Sequence, residues 1–220
     1  MNIILLFLEI IFSSLTLIFL FKKYKYDGLY LWILLFSMIL GIVSQKVVEI
    51  LGLETNLGFV INTLIFIASN IIVQKKGPKE INKVLSIIII SSVTMYSFSI
   101  LTSIMSISNI NEISNNSFNE LFYLNSRPYF ASVISIIISL WLNSMLYHQI
   151  RQIKNKIWIS NTLSIIIIGF IESILFCLIS YAFKLSLLNV IELIVIRYIF
   201  KTIIGLIGTS VIYIANSIER

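Results

Sequence analysis

The stretch Ile191–Ala215, IELIVIRYIFKTIIGLIGTSVIYIA, decides how the rest of the chain is read. It is long enough to cross a bilayer, which takes about 20 mostly apolar residues in a helix. Yet Arg197 and Lys201 lie inside it, one helical turn apart. An ionised side chain at membrane depth costs from about 3 kcal/mol on insertion scales to far more in simulations. Such residues persist only where they pair, meet water or meet a solute. The preceding apolar run, NTLSIIIIGFIESILFCLISYAF (161–183), carries one acid mid-way, Glu172. One acid in a span and two cations in the next point to a solute-handling membrane protein rather than an anchor.

Working outward, runs of this kind recur along all 220 residues, 58% of which are hydrophobic and only 12% charged. They leave no stretch for a soluble domain, so residues 1–220 read as a single integral-membrane helical bundle. The fold class is all-α, a polytopic bundle of about seven transmembrane helices. A β-barrel needs short alternating segments, and VLSIIIISSV (84–93) does not alternate. In lipid the helix satisfies its own backbone hydrogen bonds, so an isoleucine-rich run is no argument for strands. The spans fall at roughly 2–21, 29–51, 57–74, 83–108, 128–150, 157–183 and 188–215. The first, MNIILLFLEIIFSSLTLIFLF, lacks a basic n-region and a small-x-small cleavage site and reads as a retained span.

The loops alternate in charge. Lys22, Lys23 and Lys25 fill the first, Lys75, Lys76, Lys79 and Lys83 the third, and Arg151, Lys154 and Lys156 the fifth. The second has no basic residue, the fourth only Arg127 and the sixth only Lys184. The positive-inside rule then sets the odd loops in the cytoplasm, the N-terminus outside, the C-terminus inside and the 109–127 loop extracytoplasmic. The implied location is the cell (inner or plasma) membrane, crossed several times. The net charge of +6 is explained by these loops and does not call for nucleic acid.

Within the spans, polar residues three or four apart share helix faces. Asn62, Phe66, Asn70 and Gln74 form one such stripe. Ser132, Ser135, Ser139, Asn143 and Tyr147 form another, and Asn161, Gly169, Glu172 and Phe176 a third. Arg197, Lys201, Gly205 and Thr209 form a fourth, and Lys46 follows Gly41, Ser44 and Gln45 near the outer end of the second span. Small and hydroxyl residues on these faces serve helix packing as readily as they serve a solute. Two inward cations against one central acid are harder to satisfy by mutual pairing alone. The candidate substrate-binding residues are therefore Lys46, Asn70, Gln74, Asn143, Glu172, Phe176, Arg197 and Lys201, with Phe176 a candidate to stack on a planar ligand and Glu172, Arg197 and Lys201 expected to converge inside the bundle. Cys177 is a lone thiol and His148 a lone imidazole, so neither builds a metal site. The sequence offers no nucleophile–base pair, metal cluster, phosphate loop or Walker A motif, so no enzyme and no cofactor are expected.

Four segments carry a family resemblance. SQKVVEILGLETNLGFVINTLIFIASNIIVQKKGPKEINKVL (44–85), RPYFASVISIIISLWLNSMLYHQIR (127–151), WISNTLSIIIIGFIESILF (158–176) and RYIFKTIIGLIGTSVIYIA (197–215) resemble, in order and spacing, the VUT family of queuosine-precursor transporters. Lys46, Gly77, Arg127, Ala131, Ser132, His148, Arg151, Asn161, Ser164, Phe176, Lys201 and Thr209 match the family pattern. Asn70 and Asn143 stand where the family has Asp, Gln74 where it has Glu, Gln45 where it has Asn, Glu172 where it has Asp, and Gly169 where it has Gln. Gly208, Thr209 and Ser210 stand for its Asp-Thr-Pro. Against the family pattern, cations are kept and most acids are lost. The resemblance implies import of a purine-like solute of the 7-deazaguanine type. An alternative is a substrate-binding membrane subunit of an energy-coupling-factor vitamin or nucleobase importer. Those subunits carry Ala-x-x-x-Ala docking signatures, and this chain has none.

Overall fold

The computed structural model describes residues 1–105, 112–124 and 126–219. The chain opens with α1 (Asn2–Val43), followed by a two-stranded hairpin, β1 (Val47–Ile50) and β2 (Leu53–Asn56). After it come α2 (Gly58–Lys76), a 3-10 turn (Pro78–Glu80), α3 (Ile81–Ile104) and α4 (Glu112–Asn119), which runs into a π turn (Glu120–Leu124). The remaining helices are α5 (Arg127–Lys154), α6 (Ile157–Tyr181) and α7 (Leu187–Glu219). The protein is a polytopic helical bundle, as its apolar runs require.

α1 is two arms joined at Lys25, whose φ of 53° and ψ of −132° break the helix. The arms run antiparallel. Trp32 Nε1 donates to Thr16 Oγ1 at 3.1 Å, and Asn2 Nδ2 donates to Glu49 O at 2.7 Å beyond the second arm. Gly28 permits the sharp return, because a Cβ there would lie 2.1 Å from Leu20 O. Lys25 is held outward by a bond from its Nζ to Ile218 O, 3.1 Å away at the C-terminal end of α7. Free carbonyls at a helix end carry partial negative charge and favour a cation.

Among the described residues, five helical stretches are long and apolar enough to cross a membrane: α1, α2, the 3-10 turn with α3, Asn116–Lys154 and α6. The expected seven crossings require the arms of α1 to cross separately and α7 to cross as well. The second span was expected to run to residue 51, but helix ends at Val43 and the chain turns into the hairpin. Leu51 (φ 57°) and Gly52 (φ 79°) both take positive φ, as a two-residue hairpin turn demands. The β-branched Val47, Val48 and Ile50 suit a pleated ladder as well as a helix in lipid, which is why the boundary misled. Within the expected 109–127 loop, residues 112–124 are helical; 109–111 and 125 lie outside the described residues.

α2 is the axis of the bundle. Its apolar window is 89% buried, against 22% for α1 and 28% for α3. The outer helices turn Leu8, Phe12, Phe19, Ile90, Phe98 and Leu101 outward, all exposed. Lipid tails solvate such a surface, so its exposure costs nothing in a bilayer. α1, α5, α6 and α7 pack around α2, and polar side chains of α5, α6 and α7 bond to or beside the polar stripe of α2.

The basic loops gather at one end of the bundle. Lys76 lies over the rings of Tyr26 and Tyr30, 4.7 and 5.2 Å from their centroids, and Lys83 lies 4.1 Å from that of Tyr30. Lys75 pairs with Glu219 at 2.9 Å. The hairpin and the Asn2 end of α1 lie at the opposite end, as their mutual bond requires.

Candidate solute-binding site

The three charges deep in the sequence meet in space. Glu172 on α6 is fully buried, and Arg197 and Lys201 on α7 are each 1% exposed. Glu172 Oε1 accepts from Arg197 Nη2 at 2.8 Å, from Asn62 Nδ2 of α2 at 2.8 Å and from Ser135 Oγ of α5 at 3.2 Å. Lys201 Nζ bonds to the other oxygen, Oε2. Arg197 Nη1 donates to Asn56 Oδ1, so the guanidinium also ties α7 to β2 of the hairpin. The Arg197 plane lies over Phe176, 3.9 Å from Cζ to ring centroid. Lys201 Nζ lies 5.7 Å from the centroid of Phe66. One carboxylate thus serves four side-chain donors between two aromatic rings.

A second layer lies about 12 Å along α2, the rise over eight helical residues from Asn62 to Asn70. It is built of neutral amides, donor to acceptor in one direction. Asn143 Nδ2 donates to Asn70 Oδ1 at 2.9 Å, and Asn70 Nδ2 to Asn161 Oδ1 at 2.9 Å. Asn161 Nδ2 then donates to Thr209 Oγ1 at 3.0 Å and to Gly205 O at 3.3 Å. All four side chains that make this chain are buried. Its free end is Asn143 Oδ1, a buried acceptor with no partner among the described residues, and the buried hydroxyls of Ser69 and Ser144 have none there either. One further turn along α2, Gln74 Nε2 donates to Asn216 Oδ1 and Gln74 Oε1 accepts from Tyr147 OH, each at 3.2 Å. Gln74 and Asn216 line a cavity of about 390 Å³ that is also bounded by Lys75, Arg151, Tyr213 and Glu219. A polar column therefore runs from the hairpin end of the bundle to a cavity among the basic loops.

The profile of the family described as "putative vitamin uptake transporter" matches residues 56–215, which hold every residue of both layers. The chain belongs to that family. It is similar to a "probable queuosine precursor transporter" of Bacillus subtilis (strain 168), with 23% identity over 214 residues, covering 96% of this chain and 93% of the relative. No solved structure matches the chain. The family's description makes the protein a membrane transporter of the vitamin-uptake type.

Of the residues expected at the site of this transporter, Glu172, Arg197, Lys201 and Phe176 come together in the charged layer. Asn70 and Asn143 meet each other in the amide layer, and Gln74 borders the cavity. Lys46 joins none of these. It is exposed at the foot of the hairpin, beside Glu9 and Leu57, along a cavity of about 120 Å³. Five side chains that hydrogen-bond within the two layers were not among the expected site residues: Asn56, Asn62, Ser135, Asn161 and Thr209. All but Asn56 lie on the polar stripes, where a count of hydrogen bonds owed by Glu172 and Asn70 would have drawn them in. Nothing in the sequence marks Asn56, which meets Arg197 across 141 residues of chain.

Proposed function

We propose that this transporter imports a small, planar, purine-like solute of the 7-deazaguanine type across the cell membrane. The observation that carries the reading is the buried column itself: a charged layer flanked by Phe176 and Phe66, followed by a layer of amides. Aromatic faces suit a flat ring, and each Asn offers both a donor and an acceptor to a purine-like edge. The name of the Bacillus subtilis relative supports the same solute class. In this reading the hairpin end faces outward and the cavity beside Gln74 opens to the cytoplasm. The gathering of Lys75, Lys76, Lys83 and Arg151 at that end supports the orientation under the positive-inside rule.

The deciding experiment is uptake of labelled 7-deazaguanine bases by a bacterial strain that cannot make or import them, with and without this gene. Restored accumulation and restored tRNA modification are expected. No accumulation from a protein shown to reach the membrane would reject the reading. Orientation is checked separately with single cysteines. A cysteine within 112–122 should react with an impermeant thiol reagent from outside, and one at Lys79 should not. The reverse pattern would invert the topology.

A further inference from the structure

We infer that the buried site carries one uncompensated positive charge and selects neutral and anionic planar solutes against cationic ones. The inference deepens the function proposed above and rests on its solute-binding site.

The charge count comes first. Arg197 and Lys201 each pair with Glu172, and neither has another acid partner among the described residues. Every other side chain bonded into the column, from Asn56 and Asn62 to Asn161 and Thr209, is a neutral amide or hydroxyl. Glu192, near the start of α7, is exposed, as are Glu49 and Glu54 of the hairpin, and Glu219, at the other end of α7, pairs with Lys75 among the basic loops. Two cations against one carboxylate leave a single positive excess in a region shut off from water.

The hydrogen bonds point the same way independently. Both terminal nitrogens of Arg197 are engaged, but its Nε–H is buried with no partner among the described residues. The hydroxyl of Tyr181 is also buried with no partner among the described residues, and the Tyr181 ring meets that of Phe176 edge-on at 6.0 Å. Phe176 is the ring on which Arg197 lies. Around this ring two donors lack an acceptor among the described residues. A carbonyl oxygen or an oxyanion on a stacked heterocycle would supply one, and an ammonium would not. Like charges about 5 Å apart, at the effective dielectric of a protein site, repel by more than the equivalent of a tenfold loss in affinity.

The test is direct binding to the purified full chain in lipid nanodiscs, with two ring-matched sets of probes. The first set is the neutral cyano-bearing and the cationic aminomethyl-bearing 7-deazaguanine. The second is nicotinate, nicotinamide and 3-(aminomethyl)pyridine, which carry negative, zero and positive charge on one ring. At least tenfold weaker binding of the cationic member in each set that binds is expected. Equal or tighter binding of the cationic member overturns the inference while leaving the transport reading intact. Binding by the pyridine set alone, in order of charge, upholds the inference and rejects the deazaguanine reading. Binding by neither set overturns both. Asn56→Asp adds an acid where Arg197 already has an oxygen partner, with almost no change in shape. It should narrow the discrimination about tenfold. Arg197→Gln, which leaves a balanced Glu172–Lys201 pair, should do the same and serves if the first variant does not fold. An unchanged ratio in a folded variant of either kind contradicts the inference.

Discussion

The charged layer around Glu172 and the amide layer around Asn70 share the same helices, yet they carry different liabilities. Both are buried and both bind α2, α5, α6 and α7 together. In the charged layer two cations share one acid, and losing that acid leaves both uncompensated in a buried core. Such a loss costs about 3–5 kcal/mol, because the remaining charge keeps its desolvation penalty. In the amide layer each lost bond leaves a neutral group unpaired, at about 1–3 kcal/mol. Side-chain bonds between membrane helices often contribute less, about 0.6 kcal/mol on average. The charged layer is thus the brittle one and the amide layer the adjustable one, an arrangement suited to fixing a solute in one and passing it through the other.

This contrast can be broken by mutation. The largest effect should come from Glu172→Gln, which leaves Arg197 and Lys201 facing each other with no counter-charge. Thermal melting in detergent should show a loss of about 3–5 kcal/mol or no folded protein at all. A near-native melting curve would mean that a counter-ion, not Glu172, balances the pair. Asn161→Leu interrupts the amide chain on both sides, between Asn70 and Thr209. It should cost about 1–3 kcal/mol and leave membrane abundance measurable. A loss equal to that of Glu172→Gln would erase the difference between the layers. The smallest effect belongs to the exposed seam at the basic end. There burial alone would raise the Glu219 carboxyl, but bonds from Tyr26 and Lys75 outweigh it and hold the carboxyl below its ordinary value. A carboxyl lowered on folding stabilises above its unfolded value, and the gain is lost as pH falls through the folded one. Glu219→Gln should therefore lower the melting point slightly at neutral pH and match wild type in strong acid. An equal loss at both pH values would assign the effect to packing instead.

The sequence made the charged layer readable because ionised residues inside apolar runs have few tolerable outcomes. Glu172, Arg197 and Lys201 had to meet something, and they meet each other. The stripe from Asn62 to Gln74 was readable for the same reason of spacing. The inward or outward character of a helix was not, since α2 and α3 are both apolar around much of their circumference. Hydropathy reports a membrane as the surroundings and cannot tell lipid from a packed neighbour. The end of the second span was hidden because Val47–Ile50 extends an apolar run without a break in composition. The break at Lys25 falls in the first loop, where its lysines marked it, but the Asn56–Arg197 bond depends on the hairpin that sequence reasoning did not foresee. These are tertiary choices, and local pattern carries no record of them.

The central claim is that the charged layer is where this transporter holds its solute, and Lys201→Met tests it most directly. The substitution removes one cation, leaves Glu172 balanced by Arg197, and so should spare insertion and folding. Uptake of the cyano-bearing base is measured in the deficient strain at matched membrane abundance. Loss of at least about nine-tenths of the initial rate, with wild-type abundance, is the predicted result. A folded Lys201→Met protein that transports at the wild-type rate would remove the charged layer from the solute's path.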